Sequence, residues 1–388
     1  MLPVRNATHV AEPQSNSCSG KRAQENRMDD VAEPVTRGWR APSLLLPACL
    51  LVGFCAPGSF VSRAFAAEQV RIGVARTISD VGYYVADAMG FFREQGLEVA
   101  IVPFNSAAQM VAPLGTGELE VGGGTVSAGF YNAVGRGILI KIVADQASIR
   151  PGYGFSSLLV RKDHVESGRY KEFADLKGMK VAVGAPGSGS ASALNEALKR
   201  GGLKLGDVEI VYIGFPEHLV AYRNKGIDAS ITNEPTMTRA IAEGVASRMA
   251  GNDVIYPNQQ TAVTFFSDRF IKERHALAER FMLAYLRGVR VYVDALKDGR
   301  LAGPNAGEVI AILTRYTPIK DADMFRRMVP SWVDPNGEVS LAGLRKDLDF
   351  FRELGLIEKK DISVDAVVDN SFVRAAVAKL GPYQAPAN

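Results

Sequence analysis

From about residue 70 onward, short apolar segments alternate with longer segments in which apolar side chains recur every three or four positions. The short segments predict β-strands, and the longer ones predict amphipathic α-helices. This alternation is typical of an α/β protein with largely parallel sheets. The predicted strands are 70–75, 97–102, 119–123, 138–144, 157–161, 180–183, 209–213, 227–232 and 261–267.

The character of the chain changes after the last predicted strand. Residues 275–297 predict one long helix, with an apolar stripe that includes Leu277, Phe281 and Tyr285. The remaining residues are also predicted to be helical. Earlier helices are predicted at 83–95 and 127–135, and the spacing of Ser106 and Gln109 predicts a capping box that opens another helix.

The first 66 residues predict an N-terminal extension followed by a secretory signal peptide. Arg37 and Arg40 precede an apolar stretch at 44–54, and Ala64-Phe65-Ala66 offers a cleavage site for small residues. A membrane anchor is the alternative, but a span needs about 20 apolar residues. The polar residues before Arg37 are unusually many for a signal peptide, so Met28 is an alternative start.

The composition then excludes several classes of function. The chain of 388 residues has a formal charge of +3, with 38 basic and 37 acidic residues after position 66. Such a balance gives no reason to expect nucleic acid as a partner. Cys18, Cys49 and Cys55 all precede the predicted cleavage site, so the mature chain would have no disulfide, thiolate nucleophile or cysteine-bound metal. We expect a soluble periplasmic protein rather than a lipoprotein attached through Cys49.

Small polar residues follow many of the predicted strands. Ligands of open α/β sheets bind at the carboxyl ends of the strands, where such residues collect. Neutral donors and acceptors at these positions are suited to orienting a small polar ligand. The residues predicted to bind the ligand are Thr77, Ser79, Tyr83, Asn105, Ser106, Thr125, Ser127, Asp145, Gly187, Ser188, Ser190, Asn233 and Glu234.

Several short motifs, in their order and spacing, resemble one protein family. They are Tyr84-Val85-Ala86, Gly90-Phe91-Phe92, Glu94-Gln95-Gly96-Leu97-Glu98-Val99, Gly117-Glu118-Leu119-Glu120-Val121-Gly122, Lys141-Ile142-Val143-Ala144, Asp175-Leu176-Lys177-Gly178, Val181-Ala182-Val183-Gly184, Pro186-Gly187-Ser188, Gly226-Ile227-Asp228-Ala229 and Glu234-Pro235. From about residue 70 to 296, the chain resembles the substrate-binding proteins of nitrate, sulfonate and taurine importers, which share a fold with thiamine-pyrimidine-precursor proteins.

This resemblance implies a two-lobed periplasmic-binding-protein fold of the type II-like kind, in which each lobe is a largely parallel sheet flanked by helices and the C-terminal region is helical. We expect residues 67–149 in lobe I, 150–262 in lobe II, and 263–388 in the return of lobe I and the C-terminal helices. The crossings would lie near Ser157 and Thr261. The implied function is the capture of a small organic anion, such as a sulfonate, a taurine-like molecule or an aromatic carboxylate. The implied partners are an ABC permease and ATPase, and we expect a monomer without cofactor or metal.

Two alternative functions remain at this point: a periplasmic ligand-binding component of a sensor system, and a protein that binds or synthesises a pyrimidine precursor. An enzyme is disfavoured because His164, His218 and His275 are predicted to be solvated and do not have metal-ligand spacing. The glycine-rich loop at 187–190 lacks the third small residue of a dinucleotide-binding fingerprint, because Ser192 stands there. The N–H groups of that loop, which opens a helix, predict a site for an anionic group of the ligand.

Overall fold

The computed structural model describes residues 67–385, so the predicted signal peptide and the three cysteines lie outside the described residues. Two five-stranded sheets and a short hairpin form the framework. The strands are β1 (Glu68–Val74), β2 (Leu97–Pro103), β3 (Val121–Gly124), β4 (Ile140–Ser148), β5 (Ser156–Arg161), β6 (Lys180–Val183), β7 (Glu209–Tyr212), β8 (Ala229–Asn233), β9 (Ala246–Gly251), β10 (Gln260–Ser267), β11 (Leu296–Lys297) and β12 (Arg300–Leu301).

Helices cover both sheets and make up most of the chain after β10. They are α1 (Val81–Ala88), α2 (Phe91–Glu94), α3 (Val111–Thr116), α4 (Ala128–Gly135), α5 (Lys162–Glu166), α6 (Gly189–Arg200), α7 (Phe215–Arg223), α8 (Thr236–Ala242), α9 (Asn252–Ile255), α10 (Asp268–Glu273), α11 (His275–Asp294), α12 (Ala306–Tyr316), α13 (Ala322–Arg327), α14 (Leu341–Glu353), α15 (Val364–Val367) and α16 (Ser371–Leu380). Short 3₁₀ turns lie at Ile78–Asp80, Ala107–Met110, Phe173–Leu176 and Leu205–Asp207.

The two sheets have the same topology. The first has the order β2-β1-β3-β10-β4 and the second the order β7-β6-β8-β5-β9. In each sheet the first three strands pair in parallel, and the fourth, β10 or β5, is antiparallel to both of its neighbours. The sheets are therefore mixed, although four of the five strands in each point the same way. This arrangement confirms the predicted two-lobed fold, and we call the units built on the two sheets the first and second lobe.

An acidic residue occupies the same place in both lobes, directly before the third parallel strand. In the first lobe, Glu120 accepts hydrogen bonds from the backbone N–H of Arg71 at 2.8 Å and from its guanidinium. In the second lobe, Asp228 accepts from the backbone N–H of Lys180 at 3.0 Å and contacts His164 at 2.6 Å. Each acid thus links the start of the third parallel strand to the strand beside it, β1 in the first lobe and β6 in the second. This contact gives a structural role to the acidic residue of Gly117-Glu118-Leu119-Glu120-Val121 in the first lobe and of Gly226-Ile227-Asp228-Ala229 in the second.

Two segments connect the lobes, and a third contacts both. The chain leaves the first sheet through residues 149–155 and returns through 252–259, and Ile149 exchanges backbone hydrogen bonds with Asn258 and Gln259. These crossings lie next to Ser157 and Thr261. The third segment follows α13, and there the N–H of Val329 donates to Glu234 of the second lobe, while the carbonyl of Trp332 accepts from Ser148 of the first. Strand β10 begins at Gln260 and is part of the first sheet. The predicted end of lobe II, at residue 262, lies within this strand, and the predicted lobe boundaries stay a prediction.

The helices that follow the third segment also bind both lobes. Asp347 of α14 accepts hydrogen bonds from Ser192 of α6 at 2.6 Å and from Tyr256 of the return crossing at 2.8 Å. The carbonyl of Leu356 accepts from the Asn132 amide of α4 in the first lobe at 2.9 Å. Burial raises the pKa of Asp347 to about 6. The predicted helical C-terminal region is therefore part of the joint between the lobes.

Several local predictions were wrong. The helix expected at 83–95 ends at Ala88, and a second one begins after Gly90, which has φ +78°. The hydroxyl of Ser106 makes no cap hydrogen bond; instead, the Gln109 side chain accepts from the N–H of Asn105 at 3.1 Å. Strand β9 was missed because its sequence, ASRMAG, has few β-favouring residues.

The histidine prediction was also wrong for two residues. His164 and His218 are buried, because His164 pairs with Asp228 and His218 contacts the Thr232 hydroxyl at 2.7 Å. Burial lowers the pKa of His218 to about 4.

In the part of the chain that the structure describes, no helix is long and apolar enough to cross a membrane.

We predict that Glu120→Ala lowers the free energy of unfolding by about 1 to 3 kcal/mol, because the backbone N–H and the guanidinium of Arg71 lose their charged acceptor. Asp228→Ala should have a similar effect in the second lobe. The matched control is Glu118→Ala, which removes an exposed carboxylate from the same motif. Urea unfolding monitored by circular dichroism measures the difference; equal midpoints for Glu120→Ala and Glu118→Ala would contradict the proposed tie between strands.

The raised pKa of Asp347 predicts a pH dependence of stability. Because the folded state binds this proton more tightly than the unfolded state, lowering the pH from 7.5 to 5 should stabilise the protein through Asp347 by on the order of 1 kcal/mol. Asp347→Asn keeps an acceptor oxygen for Ser192 and Tyr256 but should lose this gain. The buried His218 acts in the opposite direction and is common to both proteins. Denaturation at the two pH values tests this, with the exposed Asp349→Asn as control; an unchanged pH slope in Asp347→Asn would refute it.

Candidate functional site

The carboxyl-terminal edges of the two sheets face each other. Ala128 lies four residues after the end of β3, and Gly187 lies four residues after the end of β6. The N–H of Ala128 donates to the carbonyl of Gly187 at 3.1 Å. Gly187 has φ +60°, and a Cβ atom there would lie 2.9 Å from the Cβ of Ala128 and 3.0 Å from Leu356 Cδ1. Glycine is therefore required at position 187, where the lobes are in contact. The loops around it border the candidate cleft.

On the first-lobe side, the turn after β1 carries two of the predicted residues. Thr77 is exposed and Ser79 half-buried, and their hydroxyls lie 2.7 Å apart. The turn is held by Asp80, whose carboxylate accepts from the N–H of Thr77 at 2.8 Å and from the Gln146 amide at 2.8 Å. Burial raises the pKa of Asp80 to about 6. A fully buried carboxyl thus sets the position of an exposed polar turn.

The loops after β2 and β3 carry four further predicted residues. Asn105, Ser106 and Thr125 are exposed, while the half-buried Ser127 caps α4 by accepting from the N–H of Phe130. Thr125 and Ser127 border a cavity of about 10 Å³ whose remaining lining is formed by the apolar side chains of Ala107, Ala108, Val111, Leu114, Phe130, Ile140 and Phe265. The cavity has room for about one water-sized group and is too small for an organic ligand.

On the second-lobe side, the predicted loop at 187–190 is held by its own hydrogen bonds. The Ser188 hydroxyl donates to the carbonyl of Ala185 at 2.7 Å and accepts from the N–H of Ala191 as the cap of α6. The Ser190 hydroxyl accepts from the N–H of Gly184 at 3.0 Å. Both side chains are half-buried. The hydroxyls stabilise the loop, and what they could offer a ligand is a remaining lone pair.

Asn233 and Glu234 follow β8, and both are partly buried. The carboxylate of Glu234 accepts from the N–H of Val329 at 3.0 Å and from the N–H and hydroxyl of Thr238. Burial raises the pKa of Glu234, and these hydrogen bonds oppose the shift. In this conformation Glu234 therefore fastens the third connecting segment to the second lobe.

Two predicted residues lie in the interior rather than in the cleft. Tyr83 has no exposed surface, and its hydroxyl shares a hydrogen bond with Thr264 at 2.7 Å. Asp145 is also fully buried, and its carboxylate accepts from Gln260, Ser148 and the N–H of Asp334. Neither side chain has surface to offer a ligand in this conformation. Both positions follow the pattern of strand-end polar residues, which does not distinguish an exposed side chain from one that points into the core.

Two residues at these edges, Arg76 and Phe215, were not among the predicted site residues, which are mostly small and neutral. Arg76 lies two residues after the end of β1, is exposed and has φ +55°. Phe215 follows β7 and is half-buried, and its ring packs edge-on against His218 with centroids 5.5 Å apart. In the sequence, the signal that could have identified Arg76 was a basic residue directly after the predicted strand at 70–75.

Of residues 67–385, no group of three acidic, histidine or cysteine side chains is placed to hold a metal ion.

Two known proteins are similar to this chain in sequence. A putative binding protein of Brucella abortus is 26% identical over 242 residues, which is 62% of this chain and 68% of the relative. The putative aliphatic sulfonates-binding protein of Escherichia coli is 24% identical over 319 residues, which is 80% of this chain and 92% of the relative.

Solved structures show the same fold. The periplasmic aliphatic sulphonate binding protein SsuA of Escherichia coli has a TM-score of 0.62 at 20% identity, covering 83% of this chain and 94% of its own. The periplasmic nitrate-binding protein NrtA of Synechocystis PCC 6803 has a TM-score of 0.64 at 14% identity, covering 81% and 89%. The desulfurization enzyme DSZB also matches, with a TM-score of 0.56 at 15% identity over 80% and 99%. The fold therefore occurs in binding proteins and in an enzyme.

The family itself is shown by a match along the sequence. The family described as NMT1/THI5 like matches residues 78–295, which is more than half of the chain and extends from the turn after β1 to the end of α11. This match includes both crossings between the lobes and most of the residues at the facing edges. The resemblance drawn from the sequence motifs is thus confirmed, and the protein belongs to the NMT1/THI5-like family.

Proposed function

We propose that this protein is the periplasmic solute-binding component of an ABC importer, which captures a small organic anion between its lobes and delivers it to a permease. The observation that carries the proposal is the facing of the two carboxyl-terminal sheet edges, joined by the contact between Ala128 and Gly187. Such edges are where open α/β sheets bind ligands. The relatives named as binding proteins support the same function.

The anionic ligand class rests on the chemistry of these edges. They present hydroxyl, amide and backbone N–H groups, together with the cation of Arg76, and the carboxyl groups of Asp80 and Glu234 are already hydrogen-bonded within the fold. Donors without a free carboxylate favour a negatively charged or polar ligand. The titles of the matching structures, which name a sulphonate and a nitrate, agree with this class.

We also propose that the protein performs no reaction and acts as a monomer. Neutral hydroxyl and amide groups orient a ligand rather than attack it. The ligand contacts from both lobes would stabilise the closed form, which a permease would then recognise. No feature of the described residues favours a sensor component or a pyrimidine-precursor protein over the importer.

The test measures binding and closure with defined anions. We expect 1-pentanesulfonate, benzoate or nitrate to raise the melting temperature of the purified mature chain, because a ligand at 100 times its dissociation constant stabilises a protein by about 2.7 kcal/mol. The stabilising anion should also reduce the radius of gyration measured by small-angle X-ray scattering. Spermidine and glucose serve as cationic and neutral controls. Stabilisation by a control alone would refute the anionic class, and an unchanged radius at saturation would refute closure.

The contact at Gly187 predicts a second result. Gly187→Ala should weaken the affinity for the stabilising anion about tenfold, or about 1.4 kcal/mol, because the added methyl group collides with Ala128 and Leu356 when the lobes close. Gly178→Ala is the matched control: Gly178 also has a positive φ, +73°, but no atom lies within 4 Å of the added methyl group. Calorimetry compares the variants, and equal affinities would show that Gly187 has no part in closure.

A further inference from the structure

Arg76 adopts a backbone conformation that L-residues rarely use. Its φ of +55° is in the left-handed region, which it shares with Lys225, Asn258 and Asp298 as residues other than glycine in the described chain. A side chain in this region costs conformational free energy that glycine avoids. Such strain persists only where the surrounding structure imposes it, and it is found at ligand sites more often than elsewhere.

The strain at Arg76 is imposed by the residues on either side. Before it, Val74 is the last residue of β1 and is paired with Pro103 of β2. After it, the N–H of Thr77 is held by buried Asp80, which also accepts from Tyr84 and Gln146. The chain must turn between these two fixed points within two residues. The guanidinium makes none of the contacts that fix this turn.

The charge of Arg76 is also without a partner. Among residues 67–385, its guanidinium has no hydrogen bond within 3.5 Å and no ion pair within 4.0 Å. Arg150, which lies two residues after the end of β4, donates to the Asn258 side chain at 2.8 Å. Arg71, on β1 itself, is engaged by Glu120 at 3.0 Å. The exposed cation of Arg76 is thus left available at the edge that faces the second lobe.

From the strained backbone, the buried anchor and the unpaired charge, we propose that Arg76 binds the anionic group of the ligand and selects for anions. This assignment rests on the proposed function and names the residue that gives the site its charge specificity. A guanidinium suits this role because its planar set of N–H groups can donate two parallel hydrogen bonds to a carboxylate, sulfonate or nitrate. The hydroxyls of Thr77 and Ser79 lie beside it in the same turn.

The experiment separates strain from ligand binding by using two matched substitutions. Arg76→Gly and Lys225→Gly both place glycine at φ +55°, but Lys225 lies before β8, at the opposite edge of the second sheet, where it pairs with Asp163 at 3.6 Å. We expect neither substitution to lower the melting temperature of the ligand-free protein. Arg76→Gly should weaken the affinity for 1-pentanesulfonate, benzoate or nitrate at least tenfold by calorimetry. Lys225→Gly should leave it unchanged.

Two further variants and a salt series complete the test. Arg76→Lys should keep part of the affinity, because it retains the charge without the planar fork, whereas Arg76→Gln should lose as much as Arg76→Gly. Added salt should weaken binding to the wild type more than to Arg76→Gln. Equal affinities of wild type and both uncharged variants would overturn the role of Arg76 and leave the anion-binding function standing. A wild-type protein that binds none of the three anions would overturn the anionic ligand class and, with it, the role of Arg76.

Discussion

The joint between the lobes depends on the buried side chain of Asp145. Its carboxylate accepts from Ser148 near the outgoing crossing, from Gln260 at the end of the return crossing and from the N–H of Asp334 in the third segment. Its backbone carbonyl accepts from the Tyr285 hydroxyl of α11 at 2.7 Å. Burial raises the pKa of Asp145 to about 7. One acidic residue thus contacts all three connections between the lobes. These hydrogen bonds offset the free-energy cost of burying the carboxyl group.

Around this joint the chain builds the same lobe twice. Each sheet has three parallel strands and one antiparallel strand inserted before the last, and Glu120 and Asp228 occupy equivalent positions. The two acids lie at the amino-terminal edges of the parallel strands. These two acids pair with basic groups at the outer ends of the lobes, while the predicted site residues at the facing edges are mainly hydroxyl, amide and glycine residues. The net charge of the cleft therefore depends on the few charged side chains at the facing edges, such as Arg76.

The helices after α11 add a constraint that a two-crossing arrangement would not have. Asp347 and Glu234 hold the C-terminal region to the second lobe, and Leu356 holds it to the first. A change in the angle between the lobes must preserve these contacts or break them. Opening and closing are therefore coupled to the packing of α14 as well as to the two crossings.

The sequence by itself determined the α/β class, nine of the ten sheet strands to within a few residues and the family, because apolar periodicity and motif order are local properties. It also placed Thr77, Asn105 and Thr125 at strand ends, where the structure finds them exposed.

Tertiary structure alone decided which strand-end residues face the cleft. Tyr83 and Asp145 have the same local pattern as Thr77, but their partners, Thr264 and Gln260, are more than 100 residues away in the chain. The strain of Arg76 likewise depends on Asp80 being held by Gln146. Burial, pairing and left-handed backbone at these positions arise from contacts between distant segments, which no local pattern of hydrophobic and polar residues encodes.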